Sequence, residues 1–302
     1  MNARSIPFLK MNGLGNDFVV WDARDEPLRL PVETIRTIGD RATGIGFDQM
    51  ITVETSPAGA DAFMRIHNRD GSEVDACGNA TRCVGRLLME ESGRASATIE
   101  TNAGLLVATA TDDPTRVSVD MGVPKFAWNE IPLAEEFHDT RAIELQVGPI
   151  DAPVLHTPSV VNVGNPHAVF WVADLDAYDL EGVGPLLENH PIFPERANIS
   201  LAHMLSDDAI EIRVWERGVG LTKACGTAAC AVAVAAARDR RTGRSVTVHL
   251  PGGPLHIEWR ASDDHIIMTG ATEIEYEGAL DMSDLSHRRT APGDRPHLEV
   301  VS

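Results

Sequence analysis

The stretch FMRIHNRDGSEVDACGN at residues 63–79 aligns without a gap on EIRVWERGVGLTKACGT at residues 211–227. The offset is 148 residues, and it places Cys77 over Cys225. Upstream, at an offset of 149, GNDFVV lies over GNPHAV, beginning at Gly164. Solenoid repeats are only about 20–50 residues long. A period this long therefore predicts two copies of one domain within the chain.

The repeat also predicts where the copies begin and end. Glycines recur in register downstream of both cysteines, and the first copy leaves a strand at Val123-Pro124-Lys125. The polar, proline-containing end of the chain reads as disorder. We expect an N-terminal copy at 1–122 completed by a strand at 271–282, a C-terminal copy at 123–270, and a disordered tail at 283–302.

Local patterns agree between the copies. DAFMRIHN alternates as a half-buried strand does, and apolar residues recur at helical spacing from Gly78 to about Ser92, with Gly93 as the helix stop. The matching helix starts at Gly226 and is expected to end near Arg240. We therefore predict an α+β fold. Two pseudo-symmetric copies of a mixed β-sheet or barrel would each wrap around one central helix, with the active-site cleft between them.

Composition excludes several classes of protein. Hydrophobic residues make up 43% and charged residues 24% of the 302-residue chain, values typical of a folded globular protein. The net charge of −19 would repel nucleic acids and anionic membranes. Because no signal peptide or membrane-spanning stretch is evident, we expect a cytoplasmic protein with a small-molecule substrate.

The four cysteines are too few for a disulfide scaffold, and their spacing does not match a zinc site, so no metal is expected. Cys77 and Cys225 each precede a glycine where a helix is predicted to begin. Unpaired N–H groups and the helix dipole favour an anion there, so a thiol ionises more readily than usual. Cys83 and Cys230, within the helices, are interpreted as core residues.

Two thiols contributed by two matched halves suit one reaction class. One thiolate can remove a proton from a carbon stereocentre while a thiol on the opposite face supplies another. Pyridoxal chemistry needs a Schiff-base lysine, and no lysine has a context that singles it out. We therefore expect a reaction without a cofactor.

The chain resembles the diaminopimelate epimerases, which are cofactor-independent isomerases. The resemblance spans residues 7 to about 280 and is carried by CGN at Cys77, ERG at Glu216 and ACGT at Ala224. Supporting segments are KMNGLGNDF, GFDQ, NRDGSE, GNPH and FPERAN. The chain departs from the family pattern at Ala80 and Ala228, often glycine in the family, and at Leu221, often glutamate.

The resemblance implies interconversion of LL-2,6-diaminopimelate and the meso form, in lysine and peptidoglycan precursor synthesis, by a homodimer. It implies that Cys77 donates and Cys225 accepts the proton, with His167 and Glu216 tuning the two thiol pKa values. The implied substrate contacts are Asn16, Gln49, Asn68, Gly78, Asn79, Asn165, Asn198, Glu216, Arg217, Gly226 and Thr227.

Three other functions remain open from the residues. A related two-cysteine proline or hydroxyproline racemase would use the same duplicated arrangement, but its substrate needs fewer polar contacts than the Asn, Glu and Arg set provides. A dithiol oxidoreductase would normally have its cysteines in C-x-x-C spacing. A non-catalytic amino-acid binding protein would need no thiols at all.

Overall fold

The computed structural model describes residues 5–149 and 151–289, and the chain divides into two compact units. Unit 1 comprises residues 5–119 and 270–289, and unit 2 comprises Asp120–Thr269. The repeat in the sequence had predicted the change of unit at residue 123 and the return at residue 271. Strands dominate both units and helices are few, so the predicted α+β class is confirmed.

Unit 1 forms one mixed sheet with two helices. Its elements are β1 (Ser5–Gly13), β2 (Asn16–Asp22), α1 (Val32–Gly39), β3 (Gln49–Glu54), β4 (Ala62–Asn68), β5 (Glu73–Val74), α2 (Gly78–Ser92), β6 (Ser96–Thr101), β7 (Gly104–Ala110), β8 (Arg116–Asp120), β19 (Glu273–Asp281) and β20 (His287–Arg289). β1 pairs antiparallel with both β2 and β19, so the strand expected at 271–282 joins unit 1.

Unit 2 has its own elements. They are β9 (Gln146–Val147), β10 (Leu155–His156), β11 (Ser159–Asn162), β12 (Pro166–Trp171), α3 (Leu180–Glu188), β13 (Asn198–Ser206), β14 (Ala209–Glu216), β15 (Gly220–Thr222), α4 (Gly226–Arg238), β16 (Ser245–Leu250), β17 (Gly253–Trp259) and β18 (Ile266–Ala271). No helix in the described part of the chain has the length and apolar character needed to cross a membrane.

Strand pairing repeats between the units. In unit 1, β1 and β2 are antiparallel, β2 and β3 parallel, β3 and β4 antiparallel, β4 and β6 parallel, and β6 and β7 antiparallel. In unit 2, strands β11, β12, β13, β14, β16 and β17 follow the same alternation. The duplication inferred from the sequence is therefore a duplication of topology.

A central helix packs against the strands of each unit, as predicted. Helix α2 contacts β1, β6 and β7, and α4 contacts strands from β11 to β17. Helix α2 spans the predicted residues and ends at Gly93, whose φ of 67° is the left-handed conformation that glycine adopts without strain. Helix α4, rich in buried alanines, ends at Arg238, two residues before the predicted end.

Each unit also contains a second, short helix that was not predicted from the sequence. Unit 1 also contains α1, whose Ile35 and Ile38 are almost fully buried, and unit 2 contains α3, where Leu180 and Leu187 are buried. Each of these helices is at most nine residues long. Helices this short give weak periodic signals and depend on packing for their stability.

The predicted disorder from residue 283 was also wrong for residues 283–289. Strand β20 pairs antiparallel with β19, aligning Arg289 with Gly278. The Arg289 guanidinium carbon lies 4.1 Å from the centre of the Tyr276 ring. Strand pairing and this cation–π contact order a segment whose composition alone reads as disorder. Residues 290–302 of the predicted tail lie outside the described residues.

Candidate active site

Each unit presents a cysteine at the residue that caps its central helix. Cys77 precedes α2 with extended backbone (φ −148°, ψ 110°), and Cys225 precedes α4 in the same way (φ −119°, ψ 105°). Neither helix has an acidic residue in its first turn. Gly78 and Gly226 are the first helical residues, so the N-terminal N–H groups and the positive dipole end lie beside each thiol.

In unit 1, three predicted substrate contacts lie at one edge of the sheet. Asn16 begins β2, Gln49 begins the parallel strand β3, and Asn68 ends the antiparallel strand β4. The Gln49 Nε2 donates to Asn68 Oδ1 at 3.1 Å, and Asn68 Nδ2 donates to Ser72 Oγ at 3.1 Å. Strand register therefore brings these amides together from distant parts of the sequence.

Cys77 lies against this amide cluster. Its Sγ donates to Asn16 Oδ1 at 3.8 Å, and Asn79 Nδ2 donates to the same oxygen at 3.5 Å. Asn79 is held in turn by the buried Arg82, whose Nη2 donates to Asn79 Oδ1 at 2.9 Å. The thiol thus has a carbonyl oxygen, fixed in place, as a hydrogen-bond acceptor.

In unit 2, Asn198 begins β13 and pairs in register with His167 on the parallel strand β12. Asn198 Nδ2 donates to the Pro166 carbonyl at 3.1 Å, and its Oδ1 accepts from the Arg217 backbone N–H at 3.0 Å. The Arg217 Nη1 donates to the Glu195 carbonyl at 3.0 Å. Asn198 therefore links the start of β12 to the turn after β14.

Cys225 is almost fully buried, with 4% of its surface exposed, and it contacts Glu216 and Thr227. Burial raises the pKa of the Cys225 thiol well above its ordinary value, and the Glu216 carboxylate raises that pKa further. Thr227 Oγ1 lies 3.5 Å from the sulfur and acts in the opposite direction. Burial also raises the pKa of Glu216, against hydrogen bonds from Thr222 and Cys225.

His167 is fully buried and its Nε2 lies 2.8 Å from Asn165 Oδ1. Burial, followed by the positive charge of Arg217, lowers the pKa of His167 to about 3, so the imidazole is neutral at ordinary pH. Its Nδ1 has no partner among the described residues. A buried unpaired N–H costs more than an unpaired lone pair, so the proton belongs on Nε2, which donates to Asn165.

The predicted site residues fall into one group in each unit. Unit 1 brings together Asn16, Gln49, Asn68, Cys77, Gly78 and Asn79, and unit 2 brings together Asn165, His167, Asn198, Glu216, Arg217, Cys225, Gly226 and Thr227. Within the unit 2 group, the His167 ring is hydrogen-bonded to Asn165.

The three residues that depart from the family pattern differ in exposure to solvent. Ala80 and Ala228 are fully buried, whereas Leu221 is half exposed.

Two acidic residues near these groups were missed from the sequence. In unit 1, Asp48 accepts from Asn16; the GFDQ motif that contains it was noted only for Gln49. In unit 2, the buried Glu188 accepts from Trp215 Nε1 at 2.7 Å and from the Gly218 N–H at 2.8 Å. Glu188 lies in an apolar helical stretch, and a buried carboxylate there has no sequence signature. Within residues 5–149 and 151–289, no cluster of three or more His, Cys, Asp or Glu is arranged to hold a metal ion.

Comparisons with known proteins agree on one family. The family model described as diaminopimelate epimerase matches residues 8–127 and 159–275. The diaminopimelate epimerase of Afipia carboxidovorans is 58% identical over 275 residues, covering 91% of this chain and 94% of that protein. The diaminopimelate epimerase of Brucella anthropi is 57% identical over 297 residues, covering 97% and 98% of the two chains.

Solved structures show the same fold at low sequence identity. A hydroxyproline epimerase from Agrobacterium vitis superposes with a TM-score of 0.61 at 17% identity, covering 92% of this chain and 93% of that one. A PhzF-family phenazine biosynthesis protein from Bacillus anthracis gives a TM-score of 0.60 at 18% identity, covering 92% and 99%. On the sequence matches, the chain belongs to the diaminopimelate epimerase family.

Proposed function

We propose that this protein interconverts LL-2,6-diaminopimelate and meso-diaminopimelate in the cytoplasm, as a step of lysine and peptidoglycan precursor biosynthesis. The observation that carries the proposal is the presence, in each repeat unit, of one thiol at the N-terminus of the central helix, with Cys77 beside amide side chains and Cys225 beside Glu216 and Thr227. The two thiols form the acid–base pair of a reaction that inverts one carbon and needs no cofactor.

In the direction from LL to meso, the Cys225 thiolate removes the α-proton and the Cys77 thiol delivers a proton to the opposite face. The C–H bond breaks and its electron pair stays on the α-carbon. A new C–H bond forms with the proton of Cys77, so Cys225 ends protonated and Cys77 ends as the thiolate. Helix N-terminal N–H groups stabilise the negative charge that develops on the substrate carboxylate.

Glu216 explains how Cys225 stays protonated until substrate arrives. Without substrate, burial and the Glu216 carboxylate both raise the pKa of Cys225. A substrate α-ammonium group held by Glu216 neutralises that carboxylate and adds a positive charge, which favours the thiolate, and the proton that Cys225 loses passes to solvent as the substrate binds. Binding and ionisation of the base are thereby coupled.

The remaining contacts suit a long substrate with two amino-acid ends. Arg217 offers a planar guanidinium, which can bind a carboxylate in bidentate fashion. The proposed contacts with substrate come from Asn16, Gln49, Asn68, Gly78, Asn79, Asn165, Asn198, Glu216, Arg217, Gly226 and Thr227. A proline-sized substrate would leave many of these polar groups unused, so proline serves as the negative-control substrate.

The test is turnover of LL-diaminopimelate in deuterated water, without added pyridoxal phosphate and with a chelator present. Meso product that carries deuterium at the inverted α-carbon is expected. Cys77→Ala and Cys225→Ala should each lower kcat/KM by about 10³-fold or more, whereas Cys230→Ala, at the fully buried helix cysteine, should keep most of the activity. Loss of activity with the chelator, or turnover of proline in its place, would overturn the proposal.

The proposed assembly is a homodimer. Sedimentation should then give about twice the 32.6 kDa mass of one chain. A monomeric mass at concentrations where the enzyme is fully active would contradict this part of the proposal.

A further inference from the structure

Four charged side chains form a cluster behind Asn16 in unit 1. Lys10, which is 4% exposed, donates to Asp17 and, at 2.5 Å, to the Gly46 carbonyl. Arg41 donates to both oxygens of Asp17, at 3.0 and 2.7 Å, and to Asp48 Oδ1 at 2.7 Å. The Asp48 N–H donates to Asp17 Oδ1 at 3.1 Å.

The cluster is fixed electrostatically. Burial acts to raise the pKa of Asp17, but hydrogen bonds from Arg41 and Lys10 outweigh it and hold that pKa well below its ordinary value. Asp17 is therefore an anion bound by two cations. Because Asp48 is tied to Arg41 and to the backbone N–H of Asp17 at 3.1 Å, its carboxylate has little freedom to move.

Asp48 determines which way round the Asn16 amide lies. Asp48 Oδ2 accepts from Asn16 Nδ2 at 3.2 Å. An ionised carboxylate has no proton to donate, so only the NH₂ end of Asn16 can face it. The Asn16 carbonyl oxygen must then point to the other side, where the Cys77 thiol and Asn79 Nδ2 donate to it.

In unit 2, the equivalent asparagine is Asn165, and it is held through its carbonyl oxygen rather than through its NH₂ group. Asn165 Oδ1 accepts from His167, so the Asn165 NH₂ group is the end left for other partners. At the offset of 149 that matches Asn16 with Asn165, Asp48 corresponds to Ala197. The carboxylate that orients Asn16 is therefore particular to unit 1, although the asparagine occurs in both units.

We propose that Asp48 is a positioning residue that locks the Asn16 amide with its carbonyl oxygen toward Cys77, which keeps Cys77 a protonated donor. The catalytic meaning of this lock rests on the function proposed above. An acceptor at the sulfur favours the thiol over the thiolate, whereas an N–H group there would favour the thiolate. The lock thus gives unit 1 the acid of the acid–base pair.

Other charged or titratable groups also surround Cys77. On its own helix these are Arg82, which binds Asn79, and Cys83, whose thiol interacts electrostatically with Cys77. The strands β2 and β3 and the loops before them contribute Asp17, Arg41 and Asp48, and Asp75 lies two residues before the thiol. The experiment must therefore separate the orientation of Asn16 from the charge of Asp48.

The experiment measures the rate of Cys77 alkylation by iodoacetamide as a function of pH, in a Cys225→Ser background. Cys83 and Cys230 are fully buried, so peptide mass spectrometry reports on Cys77 alone. Asp48→Ala frees the Asn16 amide to turn, and alkylation below the midpoint should become about 3- to 10-fold faster. Asp48→Asn removes the charge but keeps an acceptor oxygen, so it should stay within about 2-fold of the parent.

Equal acceleration by both Asp48 variants would identify a plain charge effect and overturn the proposal, as would no acceleration by Asp48→Ala. Asn16→Ala removes the carbonyl acceptor, so it must also accelerate alkylation, and Asp48→Ala must add nothing in that background. The Asn16 variant keeps the test decisive should Asp48→Ala fail to fold. Asp112→Asn, at an exposed site, is the control. Alkylation of Cys77 does not require turnover. The alkylation rates can therefore contradict the proposed role of Asp48 while epimerase activity is still observed, and they can support that role when no epimerase activity is found.

Discussion

At Cys225, two effects of separate origin both raise the pKa of the thiol. The sulfur is buried, and the carboxylate of Glu216 contacts it, so both desolvation and charge raise the pKa of the thiol. At Cys77, by contrast, the thiol donates to the neutral carbonyl oxygen of Asn16. The two thiols of the repeat therefore differ in environment although their flanking sequences match, and that difference supports the proposed roles of one as acid and the other as base.

Glu216→Gln in a Cys77→Ser background is expected to lower the pKa of Cys225 by about one unit, because glutamine keeps the shape of the side chain but removes its negative charge. The ultraviolet absorbance of the thiolate, titrated with pH, measures this shift. The titration is made with Cys83→Ala also present, because burial raises the pKa of Cys83 to about 12 and its ionisation would overlap that of Cys225. An unchanged midpoint would show that burial alone sets the pKa of Cys225.

His167 is expected to remain neutral throughout the working pH range, because burial and Arg217 lower its pKa to about 3. NMR of the imidazole Cε1–H should show no titration at neutral or mildly acidic pH. The unfolded chain would protonate this histidine near its ordinary pKa of about 6.5 while the folded chain would not, so His167 should lower folding stability as pH falls from about 6.5 toward 3. A midpoint near 6 in the folded protein would contradict this account.

At the scale of elements, the contact between α2 and β7 depends on a glycine. A Cβ added at Gly85 would lie 2.3 Å from the Cβ of Ala108, which is fully buried on β7. Alanine favours an isolated helix over glycine by up to about 1 kcal/mol, but overpacking a core costs about 1–3 kcal/mol. The steric term should therefore dominate at this position.

Gly85→Ala is expected to lower the free energy of unfolding by about 1–3 kcal/mol, measured by urea denaturation. The compensating pair Gly85→Ala with Ala108→Gly removes the clash and should recover much of the loss. Gly243→Ala is the matched control, because no atom lies within 4 Å of its added Cβ. A stabilised Gly85→Ala protein would mean that α2 and β7 are less closely packed than described.

Features marked by local residues could be predicted from the sequence. Helix α2 was placed to the residue because a glycine stop at Gly93 and apolar spacing mark it, and Gly78 follows the repeated cysteine. Helix α1 was missed because eight residues give too short a period, and its stability comes from burying Ile35 and Ile38. Strand β20 was missed because its pairing with β19 is a tertiary property of a polar segment.

For the candidate site, too, only features marked by local residues could be predicted from the sequence. The repeat pointed to the cysteines and asparagines, since matched positions are visible in a linear sequence. The charges that orient them were not visible, because Lys10, Asp17, Arg41 and Asp48 meet only when β1, β2 and β3 pair. Glu188 becomes significant only where α3 packs against β14 and reaches the backbone of Gly218.

At the scale of the whole molecule, the two duplicated units share one topology but differ in the residues around their cysteines. Six strands follow one pairing order in both units, and both central helices begin after a cysteine. The cluster of Lys10, Asp17, Arg41 and Asp48 lies in unit 1, whereas the neutral, buried His167 and the Glu216 carboxylate beside Cys225 belong to unit 2. Gene duplication accounts for the shared topology, and later divergence of neighbouring residues accounts for the different surroundings of the two thiols.

Division of labour between the units requires a bell-shaped dependence of kcat/KM on pH. At low pH the base thiol is protonated and turnover falls; at high pH the donor thiol loses its proton and turnover falls again. Since Glu216 raises the pKa of Cys225, Glu216→Gln should move the limb that belongs to Cys225 to lower pH. The other limb, which belongs to Cys77, should stay in place. The measurement is initial rate at low substrate concentration across the pH range, and a flat profile, or a shift of both limbs together, would contradict the assignment of one thiol to each role.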